Sequence, residues 1–171
     1  MGTKTDQALI DDYSRALKAL RDAGIIRTKN VVGELGERFA EITYSERDDL
    51  PRMTLEPTNQ QDIDARDNEG RGYSIKTVTE TSAKRTGAIH LEQAHQQDDQ
   101  RFDILIVVIL SDSMELLSLY SFTWEQFWRL KRWSRTQKAW FLNLTKSNLS
   151  VGTKIVNRTG AGQPFVPDRS V

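Results

Sequence analysis

The stretch Phe102 to Leu110, FDILIVVIL, constrains the fold more than any other part of the chain. It is far shorter than the ~18 apolar residues of a membrane span, and its Ile and Val content suits a pleated strand better than a helix. A strand that is apolar at nearly every position has no face to give to water. It belongs in the middle of a sheet covered on both sides. Ser111-Asp112-Ser113 then turns the chain, and Met114 to Phe122 returns as an adjacent strand. Thr123 caps a helix that continues to Trp133, with Thr123 and Gln126 in capping-box spacing.

The rest of the chain supplies partners for that strand. Residues 6–23 carry an apolar stripe, Ala8, Leu9, Tyr13, Ala16, Leu17 and Leu20, that marks a packing helix ending at Gly24. A second helix starts at an Asn30 N-cap and buries Val31, Leu35, Phe39 and Ile42. Residues 43–60 read as a loop holding a short strand near Met53-Thr54-Leu55, between Pro51 and Pro57. The pattern predicts an α/β protein: a mixed central sheet with strands near 60–66, 71–79, 102–111 and 114–122, flanked by helices near 6–23, 30–43 and 123–133.

Residues 60–77 read as a β-hairpin. Asp67-Asn68-Glu69-Gly70 is a turn signal, and polar and apolar residues alternate on both sides of it. The alternation puts Ile63, Ala65, Tyr73 and Ile75 on one face, and Asp62, Asp64, Ser74 and Lys76 on the other. A turn centred near Glu69 sets Asp64 opposite Ser74, two residues from Lys76 along the same face. A carboxylate so fixed can hold Mg²⁺ or Mn²⁺, and a lysine beside it can orient a water or offset charge building on phosphorus. The same pattern also describes a plain exposed hairpin with a cross-strand ion pair, worth at most ~1 kcal/mol.

Upstream, Glu34, Glu37 and Glu41 form a stripe of like charge on the second helix, an arrangement that slightly disfavours the helix and invites a functional reason. A helical glutamate, a strand aspartate, a tight turn and then an X-X-Lys strand is the order of parts in the PD-(D/E)XK, restriction-endonuclease-like nuclease superfamily, which this segment resembles. Gly33-Glu34-Leu35-Gly36-Glu37-Arg38 is similar to the G-x-x-x-E-R start of several members. Tyr73-Ser74-Ile75-Lys76 resembles the Y-(Q/S)-(I/V)-K variant of many small bacterial and phage-type proteins. The resemblance spans about residues 8–155.

The resemblance implies a metal-dependent nuclease, acting on DNA, with Glu37, Asp64 and the backbone carbonyl of Ile75 as ligands of Mg²⁺ or Mn²⁺. Glu34, one turn earlier, is the second choice for the helical ligand. Lys76 would position the attacking water or stabilise the transition state. The chain departs from the pattern at Ser74, where Asp or Glu is usual. That loss removes one negative ligand, argues for one metal rather than two, and leaves Ser74 to hold a water. A catalytically inactive nucleic-acid-binding or interaction module on the same fold is the alternative.

Formal charge sums to zero, with 24 basic and 24 acidic residues, but it is unevenly spread. From Arg129 onward nine Lys or Arg face one acid, Asp168, so the last quarter carries +8 and the rest −8. Arg132, Arg135 and Lys138 in that quarter, with Lys84, Arg85 and Thr86 in the polar loop after the lysine strand, are the candidates to contact a phosphate backbone. Trp124, Phe127 and Trp128 have the spacing of core residues, whereas Trp133 and Trp140 flank the basic run and are candidates for base stacking. The run 92–100 reads as a solvent loop and the end of the chain, 159–171, as a disordered tail after one domain, 1–158. With no cysteine, two histidines (His90 and His95) and neither a membrane span nor an export signal, the expectation is a cytoplasmic protein, with monomer and homodimer both open.

Overall fold

The computed structural model of the chain describes residues 5–57, 62–90 and 99–157. In chain order the elements are α1 (Asp6–Asp22), α2 (Val31–Glu46), β1 (Met53–Leu55), β2 (Ala65–Asp67), β3 (Gly72–Thr79), β4 (Ile104–Leu110), β5 (Leu116–Thr123), α3 (Trp124–Leu130), β6 (Lys131–Ser134), β7 (Ala139–Leu142), α4 (Lys146–Leu149) and β8 (Thr153–Asn157). Six strands form one mixed sheet in the order β1-β2-β3-β4-β5-β8, and β6 and β7 form a separate hairpin. Within the sheet β3 and β4 run parallel, and the other pairs are antiparallel.

The apolar run takes the place its composition demands. β4 lies between β3 and β5, and Leu105, Ile106, Val107 and Val108 are fully buried. Its two faces feed two cores. Ile106, Val108 and Leu110 join Ala40 and Tyr44 of α2 with Tyr73 and Ile75 of β3. Leu105 and Val107 pack on the other side with Ile89, Phe102, Trp124, Phe127 and Leu142. No helix among the described residues is long and apolar enough to cross a membrane.

Several sequence expectations are corrected, among them Ile42 of α2, which is 42% exposed instead of facing the core. The first strand of the hairpin, expected near 60–66, is only Ala65–Asp67. Residues 60 and 61 lie outside the described part, and Asp62 adopts φ +69°, which breaks the extended run. Ile63 consequently leaves the Tyr73 and Ile75 face and packs over Gly72 instead. The helix expected to reach Trp133 stops at Leu130, because Lys131 turns extended (φ −57°, ψ 149°) and residues 131–134 pair with 139–142. β8 was not anticipated from the sequence. α1 does form, capped by Thr5 and followed by Gly24 at φ +69°, yet none of its residues is buried, so it is not the packing helix its stripe suggested. The tail 159–171 and most of the polar run 92–100 lie outside the described residues.

α2 reaches the sheet at a point of very close approach. A Cβ on Gly36 would lie 1.8 Å from Thr77 Oγ1, so only glycine lets the helix backbone sit this near β3. The Asn30 side chain accepts from the Gly33 amide and fixes the start of the helix. Glu41 accepts from the Leu55 amide and pairs with Arg38, tying α2 to β1. The third glutamate of the stripe is thus a structural group.

Candidate active site

The hairpin is held at its turn by Asp67. Its buried carboxylate accepts from the Tyr73 hydroxyl (2.8 Å), Arg71 Nε (2.7 Å) and the amides of Glu69 and Arg71 (both 2.9 Å). Burial pushes this carboxyl up, but those bonds outweigh it and hold the group below its ordinary value. The turn therefore fixes the register Ala65↔Tyr73 and Arg66↔Gly72. The register does not continue past Ala65: the Asp64 amide also donates to the Tyr73 carbonyl, at 2.8 Å, so the expected opposition of Asp64 and Ser74 is met by their side chains and not by the ladder.

At Asp64 the ladder ends and the side chain takes over. Asp64 Oδ2 accepts from the Ile75 amide at 2.6 Å and, at a longer 3.4 Å, from the Ser74 hydroxyl. Lys76 Nζ stands 3.6 Å from the same oxygen, an ion-pair distance beyond a hydrogen bond. Because a strand residue turns its N–H and C=O to the same side, the Ile75 carbonyl also faces the Asp64 side of β3. β2 pairs only with Gly72 and Tyr73, so among the described residues no strand pairs with the second half of β3 on that side. Asp62, Asp64, Ser74 and Lys76 line a cavity of about 400 Å³ with Ala88, Ile89, His90 and Phe102.

The helical glutamates divide by role. Glu37, the first choice, is coupled to Asp64 and Lys76. Burial, then the charges of Asp64 and Glu34, raise its pKa to about 7, against the lowering influence of Arg27 and Lys76. Glu34 is buried behind it, with its carboxylate bound by Arg27 Nε at 2.9 Å. Arg27 also binds Glu37 at 2.7 Å and donates to the Glu56 carbonyl at 3.2 Å. Sequence reasoning missed Arg27, which lies in a short linker with no periodicity to flag it, although two glutamates one turn apart do call for a shared cation. His90 was passed over as one of too few histidines, and its place in the cavity depends on a long-range fold.

The donor set is oxygen only, the chemistry that suits Mg²⁺ or Mn²⁺ rather than a soft metal. Arg27 is bound to Glu37 through Oε2, and the bonds to Asp64 fall on Oδ2. Among the described residues no group of three or more His, Cys, Asp or Glu side chains stands ready to hold a metal. A site here would therefore rest on two carboxylates, a backbone carbonyl and oxygens from outside the protein, a number that accords with Ser74 in place of a third carboxylate.

The candidate nucleic-acid residues lie on the segment 84–90, part of which lines the cavity, and on the β6–β7 hairpin bridged to it. The Thr86 amide donates to the Leu142 carbonyl, and Ile89 and Trp140 exchange backbone hydrogen bonds, so residues 84–90 lie along β7 while Ala88 to His90 form a cavity wall. Lys84 and Arg85 are exposed on that segment, and Arg85 lies 4.8 Å over the Phe141 ring. Arg132, Arg135 and Lys138 are exposed on the β6–β7 hairpin, where Arg132 pairs with Phe141. Thr86 is different: it is buried, and its hydroxyl accepts from the Leu142 amide, so it anchors the loop instead of meeting phosphate. Trp133 and Trp140 stack edge to face on each other at 5.1 Å, and Lys131 Nζ caps Trp140 at 3.1 Å and Trp128 at 3.8 Å. No protein-family model matches the chain, and no curated protein matches its sequence.

Proposed function

We propose that the protein is a metal-dependent nuclease, acting on DNA, with a variant PD-(D/E)XK site on a restriction-endonuclease-like fold. The observation that carries this reading is the ion pair of Asp64 with Lys76 of β3, set where the charges of both act on the carboxyl of Glu37 on α2. Glu37, Asp64 and the Ile75 carbonyl would hold Mg²⁺ or Mn²⁺. Such an ion supplies a Lewis acid for phosphoryl oxygens and lowers the pKa of water. Lys76, which lines the cavity and holds its ammonium 3.6 Å from Asp64, would orient the nucleophile or offset charge on the phosphorus centre. Ser74 and the Ile75 amide steady the Asp64 carboxylate. Exposed Lys84, Arg85, Arg132, Arg135 and Lys138 line the approach, where they track the backbone without reading sequence.

Ser74 favours a second reading, a nucleic-acid-binding module that does not cleave, since the third carboxylate of the usual motif is missing. Titration with Mn²⁺, together with DNA binding in EDTA, separates the two. The nuclease reading expects Mn²⁺ binding that Asp64→Ala abolishes. DNA binding in EDTA that is untouched by Asp64→Ala, with no Mn²⁺ binding by the native protein, would favour the module.

A further inference from the structure

α1 is a regular helix of 17 residues, with an N-cap bond from Thr5 and a glycine stop, and it carries a broad apolar stripe. Nothing among the described residues accounts for that stripe. Neither core contains an α1 residue, and among the described elements none packs extensively on it. Leu9, Ile10 and Tyr13 are 54%, 58% and 65% exposed, and they are three of the four large apolar side chains most open to solvent among the described residues. A lone exposed leucine needs no explanation, but a row of them on one helix face does.

The charges on α1 say what the stripe fits. Its first half carries Asp6, Asp11 and Asp12, and its second half carries Arg15, Lys18 and Arg21 with Asp22 at the end. A helix that is acidic at one end and basic at the other is complementary to itself in the antiparallel sense. Around a two-fold axis near Ser14 and Arg15, the acidic half of each copy lies along the basic half of its mate, and Leu9 of one copy comes level with Leu20 of the other. The pairing is isologous, so it closes at two copies and forms no fibre. A parallel pairing would set like charges side by side.

We infer that α1 is a homodimerisation helix, pairing antiparallel with α1 of a second copy of this chain. One helix pair is small beside the ~1,200–2,000 Å² of a stable interface, so the dimer forms with a dissociation constant of roughly micromolar order. The inference is independent of the metal and of catalysis.

Sedimentation velocity on the full chain tests it, from about 1 to about 300 µM so that both states are sampled. The expected result is a shift from monomer to dimer with rising concentration, weakened by high salt. Ile10→Glu with Tyr13→Glu should leave a monomer throughout, with the far-UV circular dichroism of the native protein, since both positions are exposed. Two charge variants add the orientation: Asp11→Lys with Asp12→Lys, and Arg15→Asp with Lys18→Asp, should each be monomeric alone and should form a mixed dimer when combined. A native protein that stays monomeric across the range overturns the inference. So does a dimer that the Ile10 and Tyr13 substitutions leave intact.

Discussion

Replacing Gly36 by alanine puts a methyl carbon 1.8 Å from Thr77 Oγ1, 2.6 Å from its Cγ2 and 2.7 Å from its Cβ. Rotation of the threonine can clear the first two contacts but not the third, which is fixed to β3. Ordinary Cβ contacts begin at 3.4 Å, so α2 must withdraw by about the difference between 3.4 and 2.7 Å, ~0.7 Å. Overpacking of this kind costs about 1–3 kcal/mol, against which alanine contributes about 1 kcal/mol of helix propensity over glycine. The net expectation is a loss of up to about 2 kcal/mol, or up to about 8 °C in Tm for a chain of this size. Urea and thermal denaturation of Gly36→Ala measure it, and Gly36→Ala with Thr77→Gly should recover most of the loss attributable to crowding. The site should register the same displacement, because Glu37 follows Gly36 directly and a misplacement approaching 1 Å can lower a rate by ~100-fold. A Gly36→Ala protein about 1 kcal/mol more stable than native, as propensity alone predicts, would refute the close packing of α2 on β3.

Two further substitutions probe the hairpin and the helical carboxylate. Asp67→Asn removes the charge that four donors share, and should cost about 2–4 kcal/mol at neutral pH. Because the folded-state pKa of Asp67 is depressed, its contribution is complete above the unfolded value near 3.8 and drains as pH falls through the lower folded value, so the gap between native and variant in acid denaturation should narrow there. Glu37 behaves oppositely: its pKa is raised to about 7, so the folded state keeps a proton that the unfolded state has lost, and metal-free stability falls as pH rises from 4.5 to about 7. Glu37→Gln should therefore stabilise the metal-free protein by about 1–2 kcal/mol at pH ~8, after allowance for partial exposure, and should change little at pH ~4, as urea titrations in EDTA would show.

The parts of the fold written in local pattern were legible. The burial of β4 follows from composition alone, and the nearness of the Asp64 side chain to Ser74 and Lys76 follows from a turn position and a period of two. The glutamate helix, its Asn30 cap and the capping box of Thr123 and Gln126 are likewise local. What escaped depends on partners distant in sequence. Lys131 to Ser134 adjoin a well-capped helix and become a strand only because residues 139–142 pair with them. The stripe on α1 has helical spacing whether or not anything covers it, so periodicity cannot tell an inward face from an outward one. Of the site, Asp64, Lys76 and Glu37 could be named from spacing and resemblance. Arg27, His90 and the anchoring role of Thr86 required the loop from 84 to 90 to be seen lying along β7 and the linker at 27 folded back on α2.

The most direct test of the central claim is a cleavage assay at low salt with Mg²⁺ and with Mn²⁺, on duplex, single-stranded and branched DNA and on RNA, with Asp64→Ala and Lys76→Ala proteins purified alongside. The account predicts cleavage of DNA by the native protein, lost in EDTA and lost in both variants, with the fold of each variant intact by circular dichroism. Native protein that is inert on every substrate, or variants that cut as well as the native protein, would contradict it.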